Sequence, residues 1–149
     1  MEETEQTDEK YMRMAINEAR AALDSGEVPI GAVVVADGSV VGRGHNLVET
    51  LNDVTAHAEI QAITAAAATL GGKYLPDCTI YVTVEPCAMC AGALAWSRMG
   101  RVVYGASDPK RGYTTVSAAL LHPKTLVRSG VMAVECGALM EEFFAKLRI

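Results

Sequence analysis

Two short stretches constrain this chain more than any other feature: His57-Ala58-Glu59 and Pro86-Cys87-Ala88-Met89-Cys90. The sequence holds 3 His, 12 Glu, 5 Pro and 4 Cys. Shuffling that composition would give a His-x-Glu roughly 0.24 times and a Pro-Cys-x-x-Cys roughly 0.003 times. The second motif is informative by itself, and the first gains weight beside it. Cys87 and Cys90 are three apart, which sets both thiols on one face of a helical turn. A helix N-terminus at that point favours thiolate over thiol. His57 stands at another expected helix start, after a cap at Asp53 or Thr55. A fold that uses these residues together has to bring two helix starts side by side.

One imidazole and two thiolates make a soft, mixed ligand set of the kind that zinc takes. Three protein ligands leave the fourth tetrahedral position to water, a catalytic rather than a structural arrangement. The charges of Zn²⁺ and two thiolates cancel, so the ion can be buried while still drawing the pKa of its water toward neutral. Glu59 is placed to take a proton from that water and pass it to a substrate. Residues two apart point to different sides of a regular helix, so His57 and Glu59 meet one ion only if the helix end approaches it nearly head-on. The alternative is a structural site completed by Cys78, Cys136, His45 or His122. Glu85, just before Pro86, could simply cap its helix.

The rest of the chain alternates strands and helices. Residues 8–23 carry apolar positions at helical spacing, and residues 30–35 and 40–45 read as strands joined by the turn signal Asp37-Gly38. Residues 55–70 are helical and alanine-rich, closed by Gly71-Gly72. A strand over 79–84 is followed by a helix from Pro86, at its first position, to about Ser97. Strands are expected over 101–105 and 125–128, a loop with at most one helix over 106–124, and a closing helix over 135–147. This order predicts an α/β fold with a mixed sheet.

Half of the 149 residues are apolar, enough for one compact domain over residues 1–149. Residues 1–7 read as a disordered acidic tail. No uncharged apolar run reaches membrane-spanning length, and the acidic start lacks the features of a signal peptide, so a cytoplasmic location is expected. There, cysteines serve as metal ligands or buried thiols rather than disulfides. The net charge of −5 argues against a nucleic-acid partner. Its distribution argues the other way, because residues 95–128 hold Arg98, Arg101, Lys110, Arg111, Lys124 and Arg128 against Asp108 alone.

With Glu85 added, the two motifs resemble the signature of the cytidine deaminase-like superfamily of zinc enzymes, whose base-flipping members use it in these roles. Within the superfamily the chain is similar to the bacterial tRNA adenosine deaminases. The likeness extends through Glu27-Val28-Pro29-Ile30-Gly31, Gly44-His45-Asn46, Cys90-Ala91-Gly92-Ala93, Arg101 to Ala106, Asp108, Leu121-His122-Pro123 and Phe143-Phe144. It covers most of residues 8–148. The resemblance implies a three-layer α/β/α sandwich with a central five-stranded mixed sheet, and a homodimer with one Zn²⁺ per subunit. It implies His57, Cys87 and Cys90 as ligands, Glu59 as proton shuttle and Asn46 as the hydrogen-bonding partner of the base. The activity implied is hydrolytic conversion of adenosine to inosine at the wobble position of a tRNA anticodon. Asp108, Lys110 and Arg111 are expected near the RNA, with Lys146 or Arg148 as further phosphate contacts. Phe143 and Phe144 are expected either to stack on a base or, for at least one of them, to pack in the core. The alternative role for Asn46 is that of a turn residue after the strand. The rival activities are deamination of a free base such as guanine or cytosine, and a zinc-stabilised RNA-binding module without catalysis. The segment Lys110-Arg111-Gly112-Tyr113-Thr114-Thr115 departs from the pattern of the best-known members.

Overall fold

The computed structural model describes residues 2–147. Five strands form one sheet: β1 (Gly31–Ala36), β2 (Ser39–His45), β3 (Thr79–Val84), β4 (Arg101–Ala106) and β5 (Leu126–Arg128). Their order is β2-β1-β3-β4-β5. β1 runs antiparallel to both its neighbours, while β3, β4 and β5 are parallel. Helices α1 (Glu2–Asp24) and α5 (Ala133–Leu147) cover one face. Helices α3 (Ala58–Leu70) and α4 (Ala88–Trp96) cover the other. Alternate strand residues divide between the two cores. Ala32, Val34, Ile80, Val82 and Val102 face α3 and α4, whereas Val33, Val35, Tyr81 and Val103 face α1 and α5. The expected three-layer sandwich is the observed one.

Several local features differ from expectation. The acidic segment expected to be disordered is helical from Glu2 onward, as part of α1. Acidic side chains in a first turn complement the positive end of the helix dipole, which favours this continuation. A short helix α2 (Val48–Leu51) follows β2. Residues 106–124 contain two 3₁₀ turns, at Tyr113–Thr115 and Ala118–Leu120. The hairpin turn is as expected: Asp37 and Gly38 both have positive φ, 49° and 73°, as a type I′ turn requires.

Close contact between α3 and β2 positions the site. A side chain at Gly42 would meet the Ala62 carbonyl oxygen at 2.5 Å, and one at Gly44 would meet the Ala58 carbonyl oxygen at 2.6 Å. The missing side chains let the alanine face of α3 lie directly on β2. The start of α3 therefore lands beside the end of β2. The basic residues of 95–128 are scattered rather than gathered into a stripe. Arg101 and Arg128 both bond the buried Asp8 carboxylate of α1, and Arg98 lies over the Tyr74 ring at 4.6 Å.

Candidate active site

The candidate residues collect at one end of the sheet, where β2, β3 and β4 finish and β1 begins. His57 is the N-cap residue of α3, and Cys87 is the N-cap residue of α4. Both have extended backbone at the cap and make no side-chain cap bond. Their side chains are thus free to face each other across the gap between the helix starts. The caps read from sequence need correction. Asp53 accepts hydrogen bonds from the Thr55 amide and hydroxyl, closing a local turn two residues before the helix. Pro86 precedes the N-cap instead of occupying the first helical position.

The His57 Nδ1 atom lies 3.6 Å from the Cys87 sulfur and 3.5 Å from the Cys90 sulfur. One ligand atom from each of the three residues lies within 4.8 Å of the others, an arrangement that can hold a metal ion. None of the four suggested completing ligands joins them. Cys78 and Cys136 are buried in the two cores, His45 pairs with Glu18 at 3.0 Å, and His122 accepts the Lys124 amide. The hydrogen bond with Cys90 draws the Cys87 thiol down to about 4, and the same bond pushes Cys90 up. The Cys87 partner also raises His57. The group is arranged to hold negative charge on sulfur.

Glu59 occupies the first turn of α3 and is 4% exposed. Burial pushes its carboxyl up to about 7, with the nearby Cys87 charge acting in the same direction. The Cys90 thiol acts in the opposite direction and lowers it. Because His57 sits at the cap in extended conformation, the two residues reach one cluster although they are only two apart.

A cavity of about 770 Å³ opens beside the cluster. Asn46, His57, Glu59, Cys87, Asp108, Lys110, Arg111, Phe143 and Phe144 all line it, so residues far apart in the sequence meet there. Asn46 is 6% exposed, and its amide donates to Glu27 at 3.4 Å. Lys110 and Arg111 are exposed at the rim, and both backbone amides donate to the Asp108 carboxylate at 3.0 Å. Phe143 and Phe144 stand edge to face at 5.4 Å, and neither belongs to the buried core. The expectation that one of them packs inside gives way, because α5 uses Cys136 and Leu139 for that contact. Lys146 is exposed on the last turn and does not line the cavity. Arg148 lies outside the described residues.

Two carboxylates make contacts that the sequence did not reveal. Glu27 accepts the Glu49 amide and both the amide and hydroxyl of Thr50, fixing the segment after Asn46. Burial opposes its charge, yet these bonds hold it below the usual carboxylate range. Glu85 does not cap α4; it accepts from Asp108 and Thr114 instead. In both cases the partners lie 19 or more positions away, beyond any local pattern.

Fold and cluster together define a deaminase scaffold, and the comparisons agree. A family model described as MafB19-like deaminase matches residues 6–148, and the chain belongs to this deaminase family. More particularly, it is 47% identical over 146 residues to a tRNA-specific adenosine deaminase of Bacillus subtilis (strain 168), covering 95% of this chain and 91% of the relative. A structure solved in a study of A-to-I editing by tRNA A34 deaminases at the wobble position is 43% identical. It superposes with a TM-score of 0.81, covering 87% of this chain and 98% of that one. A guanine deaminase from Nitrosomonas europaea is 26% identical, with a TM-score of 0.83 and coverage of 92% and 84%.

Proposed function

We propose that this protein converts adenosine to inosine at the wobble position of a tRNA anticodon by hydrolytic deamination. The observation that carries the reading is the 47% identity to a tRNA-specific adenosine deaminase over nearly the whole chain, joined to a cavity lined by Asn46, His57, Glu59 and Cys87, with Cys90 in the same ligand cluster. Zinc is the metal assigned. A tetrahedral zinc with ordinary bond lengths would separate a sulfur and a nitrogen ligand by about 3.6 Å, close to the 3.5 and 3.6 Å found. When bound, zinc supplies an activated water as nucleophile at neutral pH.

The chain's own residues do the rest. Glu59, buried and poised near neutrality, takes one proton from water and delivers it to the purine ring nitrogen as oxygen adds to C6. It then relays a second proton, from that added hydroxyl, to the departing amine, so that ammonia leaves and C6 becomes a carbonyl. Asn46 meets the polar edge of the base, with Glu27 fixing its amide. Phe143 and Phe144 offer aromatic faces to the flipped or flanking base. Lys110 and Arg111 face phosphate at the rim, with Asp108 turning the loop that carries them. One zinc per subunit, a homodimer and a cytoplasmic location complete the proposal, as the resemblance in the sequence implies.

The 26% identity to a guanine deaminase favours one second reading, deamination of a free base at the same cluster. Incubating the zinc-loaded protein with an arginine tRNA bearing a wobble adenosine, and separately with free adenosine, guanine and cytosine, distinguishes the two. Inosine formed only in the tRNA is expected. Ammonia released only from a free base would keep the metal and Glu59 roles and move the substrate. Chelation should abolish turnover, checked by metal analysis of the same sample.

A further inference from the structure

Glu85 ends the segment that leads from β3 into Cys87, and its carboxylate is buried with three donors around it. One oxygen accepts the Asp108 amide at 3.1 Å. The other accepts the Thr114 amide at 3.1 Å and the Thr114 hydroxyl at 2.6 Å. All three donors belong to one loop, residues 108–114, and they grip it at both ends. Between those ends the loop folds back on itself, with the Gly112 amide on the Asp108 carbonyl at 2.9 Å. Gly112 pairs with Cys87 as an isolated antiparallel bridge, and the Tyr113 amide donates to the Pro86 carbonyl at 2.8 Å. The Tyr113 ring is buried and meets Tyr104 edge to face. A side chain at Gly112 would run into the Glu85 carboxylate.

We propose that Glu85 is a positioning residue for substrate binding: it locks loop 108–114 to the chain that carries Cys87 and thereby sets Lys110 and Arg111 at the cavity rim. This rests on the reading of a phosphate-bearing substrate. The chemistry of the group explains why an acid stands here. An ionised carboxylate accepts from all three donors at once, whereas a glutamine has one oxygen and turns an amide NH₂ toward the others. Glu85→Gln therefore leaves at least one end of the loop facing a donor instead of an acceptor. Thr114→Val removes only the 2.6 Å hydroxyl bond and keeps the residue's shape, so it is the milder probe.

The test uses the zinc-loaded full chain and an anticodon stem-loop of an arginine tRNA with wobble adenosine. Glu85→Gln should raise KM about tenfold, and raise it more than it lowers kcat, while Thr114→Val raises KM less. Zinc content should not change. Adding Glu85→Gln to a Lys110→Ala/Arg111→Ala variant should have little further effect, because both changes act through the same contact. Amide hydrogen exchange at Asp108 and Thr114, measured without substrate, should quicken in Glu85→Gln. Loss of zinc, a kcat loss as large as the KM rise, or additive effects with the lysine and arginine changes would overturn the proposal. So would unchanged exchange at the two amides. If the unmodified protein neither binds nor deaminates the stem-loop, the tRNA reading itself fails, while the exchange experiment still decides whether Glu85 holds the loop.

Discussion

Asp8 and Glu59 are both carboxylates withdrawn from water, on helices that cover opposite faces of the same sheet. Asp8 receives two bonds from Arg101 at 2.8 and 2.7 Å, one from Arg128 at 2.6 Å and one from the Tyr81 hydroxyl at 2.8 Å. Burial works against its charge, but these partners win and hold it below the ordinary carboxylate value. Among the described residues Glu59 forms no ion pair of this kind, and the nearby His57 offsets burial only in part, so its carboxyl rises to about 7. The difference lies in the partners and not in the depth. A buried acid surrounded by donors is a fastener, here joining α1 to β3, β4 and β5. A buried acid left short of donors keeps a proton that can be moved at neutral pH, which is the property a shuttle needs.

Substitution of the two acids should therefore have opposite signatures. The largest effect expected is on turnover: Glu59→Gln should lower kcat by at least about 10²-fold, the scale of a lost general acid–base group, with zinc content unchanged. Surviving activity, or lost zinc, would remove Glu59 from the shuttle role. In chelator-treated protein at pH 8 the same change should leave the melting temperature equal or higher, since it removes a carboxyl that burial resists ionising. Asp8→Asn should instead destabilise the fold by about 3 kcal/mol in denaturant titration, because two arginines lose their counter-charge. Its activity per folded molecule should stay within roughly twofold, given its distance from the cavity.

The stability supplied by Asp8 also has a defined pH window. Its folded pKa is depressed, so the contribution is fully present above the unfolded value near 3.8 and is lost as pH falls through the lower folded value. The gap in stability between the unmodified protein and Asp8→Asn should narrow over that acid range; a constant gap would mean that charge is not what fastens α1. Tyr81→Phe should have the smallest effect, about 1 kcal/mol, as it removes one of the four bonds to Asp8.

The two regions were not equally legible in the sequence. His57, Glu59, Cys87 and Cys90 announce themselves because ligand spacing within one helical turn is a local pattern. The fold class followed for the same reason, from the alternation of strand and helix periods. The Asp8 fastener left no such mark, since Arg101 and Arg128 lie 93 and 120 positions away. Counted along the chain, those arginines made residues 95–128 look like a basic surface; in the folded protein they are half-buried and paired. The misjudged caps have a shared cause as well. A side chain that ligates cannot also bond its own helix start, so His57 and Cys87 take cap positions that a propensity argument assigns to aspartate or threonine.

The cavity draws its walls from both layers: His57 and Glu59 from the α3 side, Phe143 and Phe144 from α5 on the other, with the sheet between. Each wall packs on the one sheet, α3 on β1 and β2 and α5 on β3 and β4, so the cavity's width is set by the sheet that joins them. On the proposed reading, the work of adaptation then falls on the polynucleotide. A hairpin loop whose bases are already half unstacked can bend into such a rigid mould far more cheaply than a paired stem, and selectivity for loops over duplexes follows from elasticity before any base is read.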